Sequence, residues 1–283
     1  MRNNMSIICF MLLVTSGIAS AEQPVALTLR YVDDREASHD AQIIDTRTLA
    51  VCQQRSVFGA HCLPAGDLLG PDGELPSFVD IFWALGTAGI SAHKLVLVTG
   101  NQARERDFVA GLLYLCGQAS VQILTTSMDT VLQQNRWPIG QGQPRGNLRL
   151  PVYDATMRDE LIVLPNELAH ALDKNKAVVP IDGRNLSIHR GDDYLGGHIP
   201  GAMQLPLAYL NRTDSHLRLT AISKELTPAK HRYFVAYAHM PMDSIALFAR
   251  LRADEANQRL DIRVMPAGWQ GWTSSRQTAI TSN

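Results

Sequence analysis

The stretch Val178-Val179-Pro180-Ile181-Asp182-Gly183-Arg184 decides the fold, because its pattern occurs twice in the chain. It is a short apolar run that ends in Asp-x-Arg, and Ile43-Ile44-Asp45-Thr46-Arg47 repeats that pattern. Short, nearly continuous apolar runs are typical of strands buried in parallel sheets. Each copy is therefore predicted to be such a strand, and the repetition predicts two similar halves.

Further segments repeat in the same order. A glycine-containing turn follows each first strand, Gly59-Ala60-His61-Cys62-Leu63-Pro64-Ala65 and Gly196-Gly197-His198-Ile199-Pro200-Gly201-Ala202. Each half then has a second strand, a helix and a third strand: 95–98, 104–116 and 121–124, then 233–237, 244–253 and 262–265. Strands that alternate with helices at this spacing indicate parallel sheets. We predict an α/β fold with two domains, each a small, mostly parallel sheet flanked by helices.

Composition excludes several classes of protein. The chain has 283 residues, 46% apolar and 19% charged, which is enough apolar surface for a packed core. Lysine plus arginine is 26 and aspartate plus glutamate is 27, so the formal net charge is −1. This balance argues against binding to nucleic acid and against a polybasic membrane anchor. We expect a partner protein or a small molecule as the ligand, with no nucleic acid and no membrane.

The N-terminus has the features of a secretory signal, which we assign to residues 1–21. Arg2 precedes a short apolar stretch from Ile7 to Val14, and Ala19-Ser20-Ala21 is a small-x-small cleavage site. We therefore expect a periplasmic or secreted protein, without a membrane span after cleavage. A glycine- and proline-rich stretch at 140–147 indicates a linker. The predicted domains are 22–140 and 151–275, joined by a linker at 141–150.

Cleavage of the signal would leave three cysteines in an oxidising compartment, Cys52, Cys62 and Cys116. Cys52 and Cys62 are close in sequence, so a bridge between them is possible, but sequence alone does not give the distance between their Cα atoms. Cys116 ends an apolar, helix-like stretch. A buried, inert thiol is the expected state there, and a reactive thiol is the alternative.

Taken together, these segments resemble the tandem-domain rhodaneses, which are two-domain sulfurtransferases. The resemblance is strongest at Asp182-Gly183-Arg184, at 194–202 and at Gly268-Trp269-x-x-Trp272. It implies a catalytic cysteine directly after the strand 233–237. In active members a loop of backbone N–H groups and a helix N-terminus then surround the sulfur and stabilise a thiolate or persulfide. The resemblance also implies structural roles for His61 and His198, and no cofactor.

The sequence departs from the family at that loop, which reads Ala238-His239-Met240-Pro241-Met242-Asp243-Ser244. Ala238 stands at the position of the cysteine and supplies no nucleophile. Pro241 removes one backbone donor, and Asp243 is expected to cap the following helix and to repel thiosulfate. We therefore assign no catalytic residue, and we describe 238–244 as a degenerate active loop.

The first half offers no replacement for the cysteine. Its corresponding loop, 99–104, contains no cysteine, and its alignment is uncertain by one residue. Arg104 and Arg106 are expected at the surface, with anion binding as the alternative. We expect Asp45 and Asp182 to pair with neighbouring arginines or backbone, and Trp269 and Trp272 to pack.

Three functional hypotheses follow. The first is an exported rhodanese-like protein without sulfurtransferase activity that binds a protein partner or a small anionic or sulfur-containing ligand. The second is an active sulfurtransferase that takes sulfur from thiosulfate or a thiol with a non-standard cysteine. The third is periplasmic copper binding through His239, Met240 and Met242, with His216 or His231 nearby, because thioether and imidazole groups suit Cu(I).

Overall fold

The computed structural model describes residues 28–38, 40–146, 152–174, 177–185, 197–210, 233–257 and 259–281. The predicted signal 1–21, the linker residues 147–150, the motif residues 194–196, His216 and His231 lie outside these ranges. None of the helices in the described ranges is long and apolar enough to cross a membrane. We call residues 28–146 the first half and residues 152–281 the second half.

The first half is built on a parallel sheet of five strands. These are β1 (Thr28–Val32), β2 (Gln42–Asp45), β4 (His61–Cys62), β5 (Leu95–Thr99) and β6 (Ser120–Leu124), and their order in the sheet is β1-β6-β5-β2-β4. Two short strands, β3 (Ser56–Val57) and β7 (Ile139–Gly140), form a separate antiparallel pair. The helices are α1 (Leu49–Gln54), α2 (Phe78–Thr87), α3 (Ala103–Leu115) and α4 (Met128–Gln134), with a 3₁₀ turn at Ala65–Leu68.

The second half has a parallel sheet of four described strands. They are β8 (Val178–Asp182), β9 (Met203–Gln204), β10 (Tyr233–Tyr237) and β11 (Asp261–Val264), in the order β11-β10-β8-β9. The helices are α5 (Pro165–Asp173), α6 (Leu207–Leu210), α7 (Pro241–Arg252) and α8 (Gly268–Thr281). Short 3₁₀ turns lie at Asp159–Leu161 and Glu255–Asn257. The predicted α/β fold with mostly parallel, helix-flanked sheets is confirmed.

The strands β5 and β10 occupy equivalent positions in the two sheets. In the first sheet Asp45 lies opposite Thr99, and in the second Asp182 lies opposite Tyr237. Both pairs stand at the carboxyl ends of central strands, where ligand sites of open α/β sheets form. The residues that follow β5 and β10 are therefore structural counterparts.

The two halves pack through their equivalent helices, α3 and α7. Gly111 lets these helices approach, since a Cβ atom on it would lie 2.9 Å from Ile245 Cγ2 and 2.9 Å from the Ile245 carbonyl oxygen. Further along, the rings of Tyr114 and Phe248 are 6.4 Å apart. One apolar cluster runs from the first half through this contact into the second. The amino ends of α3 and α7 consequently lie at the same end of the contact.

The glycine turns align differently from the sequence prediction. Gly59 and Gly201 have φ values of +79° and +74°, and each precedes an alanine whose N–H donates to the third residue back, at 3.0 Å in both turns. Gly59 is thus the counterpart of Gly201, and His61, which lies in β4, is the counterpart of Met203. The predicted alignment of the turn 59–65 with the turn 196–202 was wrong. That alignment matched the two histidines, whereas the turn is defined by a glycine with left-handed backbone angles.

Candidate functional site

The candidate site is the short loop 238–240, which joins the central strand β10 to the helix α7. β10 is apolar and buried apart from its first residue, so it brings Ala238 to the carboxyl edge of the sheet in a buried position. The helix begins immediately afterwards at Pro241. Proline suits the first helical position, where its φ angle is favourable and no N–H partner is needed. The predicted helix start at Ser244 was therefore three residues too late.

Ser244 closes this loop from within the helix. Its hydroxyl accepts a hydrogen bond from the Ala238 N–H at 2.9 Å and donates one to the Met240 carbonyl at 3.0 Å. The Ala238 N–H already has a partner in the protein, so it does not face a ligand. This double role of Ser244 was not anticipated from the sequence, because a serine near a helix start is usually a cap.

Gly268 and Trp269 hold the loop from the other side. The Trp269 N–H donates to the Ala238 carbonyl at 2.7 Å. Gly268 has a φ of +61°, and a Cβ atom there would lie 2.7 Å from the His239 carbonyl oxygen and 2.8 Å from that of Ala238. Glycine is required at this position both for its backbone angle and for the close approach of the loop. The Gly-Trp pair of the sequence motif thus supports the loop backbone.

Asp243 pairs with Arg104 of the first half. The Arg104 guanidinium donates to Asp243 Oδ2 at 2.8 Å, and a second contact joins Nε to Oδ1. Asp243 is the third residue of α7, and the residue that caps this helix is Met240, without a side-chain hydrogen bond. The expectation that Asp243 is the cap was wrong, because the helix starts three residues earlier than predicted. Its carboxylate is therefore paired with an arginine across the contact between the halves.

The three residues of the copper hypothesis make different contacts. The methyl group of Met240 lies 3.0 Å from the position that a Cβ atom on Gly73 would occupy, in the first half. Met242 packs against the main apolar core. His239 is half-buried, and its Nδ1 atom is buried without a hydrogen-bond partner among the described residues. In the described ranges, no three His, Cys, Asp or Glu residues group as metal ligands.

The three cysteines are not part of this loop. Cys52 and Cys62 form a disulfide in the first half, with Cα atoms 5.8 Å apart. Cys116 is free and buried, and burial raises the pKa of its thiol well above the ordinary range. It follows the carboxyl end of α3, whereas Arg104, at the amino end, contacts Asp243. Cys116 is twelve positions after Arg104, which is about 18 Å along the helix at 1.5 Å per residue.

The sheet register also aligns the first-half loop without ambiguity. Because Thr99 and Tyr237 are counterparts, Gly100 corresponds to Ala238. The helices that follow, starting at Ala103 and Pro241, agree with this alignment. Neither of the two positions holds a cysteine. Arg106 donates to the Gly100 carbonyl at 2.6 Å and to the Thr125 carbonyl at 3.2 Å, and it is buried. The expectation that Arg106 lies at the surface was wrong, because its guanidinium supports the loop.

The paired Asp-x-Arg motifs are structural supports under both loops. Arg47 contacts both oxygens of Asp45, and Arg184 contacts both oxygens of Asp182, through Nε and Nη2 at 2.7 to 3.2 Å. All four side chains are buried. In the second half the Tyr237 hydroxyl also donates to Asp182 at 2.5 Å, and burial raises the pKa of Tyr237. The expected pairing of these aspartates with arginines is present in the structure.

The two tryptophans of the second half are packing residues. The Trp269 ring lies over the Arg184 guanidinium, 4.2 Å from its centroid to Cζ, and Trp272 is buried. Trp269 also belongs to the residues that pack against the smaller core of the second half. Residues of both halves meet at the loop 238–240 and at the Arg104–Asp243 contact.

Comparison with known families supports the assignment of the second half. Residues 164–275 match the family profile described as the Rhodanese-like domain. This range contains β8, β10 and α7, and with them the loop 238–240. No curated protein sequence matches the chain significantly.

Solved structures with the rhodanese fold resemble most of the chain. SseA from Escherichia coli, described with the "Rhodanese" fold and catalytic mechanism of 3-mercaptopyruvate sulfotransferases, is 18% identical with a TM-score of 0.63, over 86% of this chain and 99% of its own. Tum1 from Saccharomyces cerevisiae is 13% identical with a TM-score of 0.66, over 87% and 95%. A probable thiosulfate sulfurtransferase is 19% identical with a TM-score of 0.56, over 85% and 97%. At these identities the likeness establishes the fold.

Proposed function

We propose that the chain is an exported tandem rhodanese-like protein that lacks sulfurtransferase activity and binds a ligand beside the loop 238–240. The observation that carries this proposal is Ala238 at the end of β10, with its N–H bonded to Ser244. Sulfur transfer needs a polarisable nucleophile that survives as a persulfide, and a methyl group supplies none. The sequence features of residues 1–21 support export.

A protein partner is the better-supported ligand, compared with a free anion such as thiosulfate. An anion at the amino end of α7 would meet the carboxylate of Asp243, which is already paired with Arg104. Pro241 also removes one of the N–H groups that a helix N-terminus offers to anions. A small sulfur-containing ligand without negative charge remains compatible with this environment.

Sulfur transfer by another cysteine is the alternative proposal, and it has weaker support. Cys52 and Cys62 are oxidised to a disulfide, so neither is a free nucleophile. Cys116 is buried, and the raised pKa of its thiol keeps it protonated. The contact of Arg104 with Asp243 places Cys116 at the far end of α3 from the loop.

Copper binding is the third proposal. The buried, unpartnered Nδ1 of His239 favours it, whereas the packing of Met242 against the core does not. Titration of Cu(I) into the natural protein and into a His239→Ala, Met242→Ala double variant tests it. Equal affinities in the two proteins would remove this proposal.

Sulfurtransferase assays on residues 22–283 test the main proposal. The natural protein is expected to transfer no sulfur to cyanide from thiosulfate or 3-mercaptopyruvate. Ala238→Cys alone is expected to stay inactive with these anionic donors, because Asp243 is still present. Ala238→Cys combined with Asp243→Asn is expected to gain measurable activity, because position 238 already holds a Cβ atom at the strand end and the carboxylate that disfavours anions is removed. Ala238→Ser is the matched control, since it is similar in shape and cannot form a persulfide. Turnover by the natural protein would contradict the proposal and favour the alternative cysteines.

A further inference from the structure

A segment that leaves the first half is attached to the loop that the disulfide closes. We call residues 138–143 the exit segment and residues 52–62 the disulfide loop. The exit segment pairs with the disulfide loop through β7 and β3. Four further backbone hydrogen bonds join the two: Phe58 N–H to Pro138 O at 2.7 Å, Gly142 N–H to Cys52 O at 3.1 Å, Gln143 N–H to Ala60 O at 2.7 Å and Cys62 N–H to Gln143 O at 2.7 Å.

Gly142 lies directly on the sulfur atoms. A Cβ atom on Gly142 would lie 2.3 Å from Cys52 Sγ and 2.5 Å from Cys62 Sγ, so no residue with a side chain fits there. Both cysteines are buried, with 0% and 1% of their surface exposed. Thiol–disulfide exchange needs an attacking thiolate to reach one of the two sulfurs. The exit segment must therefore lift before a reductant reaches this bond.

We propose that Cys52–Cys62 is a reversible thiol–disulfide exchange site, and that its redox state controls the attachment of the exit segment. Both half-cystines are themselves hydrogen-bonded to that segment. All four backbone hydrogen bonds to the segment involve the disulfide loop, so loss of its covalent closure on reduction is expected to weaken the attachment of the segment. By linkage, a lifted segment then favours reduction to the same degree. The second half lacks this arrangement at the counterpart of Cys62, which is Gln204.

The reaction partner is a dithiol reductant. Its thiolate attacks one cysteine sulfur, the S–S bond breaks, and its electron pair leaves on the other sulfur, which takes up a proton. The second thiol of the reductant then displaces the first cysteine as a thiol. The reductant ends as a disulfide, and the protein gains two electrons and two protons. The reduced disulfide loop no longer has its covalent closure beneath the exit segment.

Hydrogen exchange on the full chain tests this control. In dithiothreitol, the Gly142 and Gln143 amides are expected to exchange at least tenfold faster than in the oxidised protein, whereas the amides of β10 and α7 are expected to be unchanged. The Cys52→Ala, Cys62→Ala double variant should have the amide exchange rates of the reduced protein, and dithiothreitol should not change them. Equal exchange at Gly142 and Gln143 in both states would overturn the proposal, and so would an equal increase throughout β10 and α7.

The gating role of Gly142 has its own test. Gly142→Ala forces the exit segment away from the sulfurs, so reduction by dithiothreitol, followed by thiol labelling, is expected to be at least tenfold faster than in the natural protein. Gly66→Ala is the matched control, because a Cβ atom on Gly66 meets nothing within 4 Å. A Gly142→Ala variant reduced at the natural rate would overturn the proposal. If that variant does not fold, the exchange experiment on the natural protein decides.

Discussion

The loops after β5 and β10 occupy equivalent places in the two sheets, yet their backbones accept different residues. Gly100 has a φ of +153°, a region that strongly favours glycine, and a Cβ atom on it would lie 2.0 Å from Thr46 Oγ1. Ala238 already carries a Cβ atom, and Asn135 is the one non-glycine residue with positive φ in the described ranges. The second loop can therefore carry a side chain at its first position, and the first loop cannot without rearrangement.

The two loops are also held by different chemistry. In the first, the buried Arg106 donates to two backbone carbonyls, those of Gly100 and Thr125. In the second, the counterpart of Arg106 is Ser244, whose hydroxyl accepts a hydrogen bond from one N–H and donates one to a carbonyl. A small hydroxyl group leaves the second loop compact around Ala238. The comparison indicates that the first loop is a structural support held by a buried guanidinium, whereas the second is closed by a hydroxyl group.

The largest effect on stability is expected at the first position of each loop, when Gly100 is replaced by alanine and Ala238 by glycine. Gly100→Ala should lower the free energy of unfolding by about 3 kcal/mol, because it combines an unfavourable φ with a clash against Thr46. Ala238→Gly should lower it by about 1 kcal/mol, through added chain entropy and one lost methyl group. Urea denaturation of both variants measures the difference. Equal losses would show that the two loops have the same backbone requirement.

A smaller effect is expected from the residues that hold the loops. Arg106→Met should lower the free energy of unfolding by about 2 kcal/mol, because two backbone carbonyls lose their donor. Ser244→Ala should lower it by about 1 kcal/mol, because the buried Ala238 N–H loses its acceptor. Urea denaturation measures both losses. A Ser244→Ala loss that exceeds the Arg106→Met loss would contradict the assignment of the first loop as the structural support.

Much of the fold around these two loops could be predicted from the sequence. The strand Tyr233–Tyr237 was predicted with its observed bounds, because a continuous apolar run in an α/β pattern is a strong signal for a buried parallel strand. β5 and β6 were predicted to within one residue. The identity of the residue after β10 also follows directly from the sequence. These features depend on local pattern, which a single sequence displays.

Other features depend on geometry that the sequence does not display. The counterpart of Ala238 was uncertain by one residue until strand register aligned it with Gly100. The Cys52–Cys62 bridge needed the 5.8 Å separation of the Cα atoms, which spacing alone does not give. β1 and the helix α2 were not predicted. The contact of Arg104 with Asp243 joins residues far apart in sequence, so no local pattern indicates it.

The smallest expected effect concerns that contact, which links the two helix starts under comparison. Half of the Arg104 side chain is exposed, with 49% of its surface accessible, so the pair should be weak. We expect a coupling energy of about 0.5 kcal/mol from a double-mutant cycle of Arg104→Gln and Asp243→Asn. Glu105→Gln is the matched control, since Glu105 is the third residue of α3 as Asp243 is of α7.

Salt dependence then separates two roles for Asp243. A solvent-exposed pair loses most of its coupling at about 1 M NaCl, where the screening length falls to about 3 Å. Asp243 would then act chiefly as a charge that disfavours anions at the amino end of α7. A coupling energy unchanged in high salt would mean that the pair is shielded from water. Asp243 would in that case stabilise the contact between the halves. Ala238 and Pro241 would then be the residues that distinguish the second loop from the first.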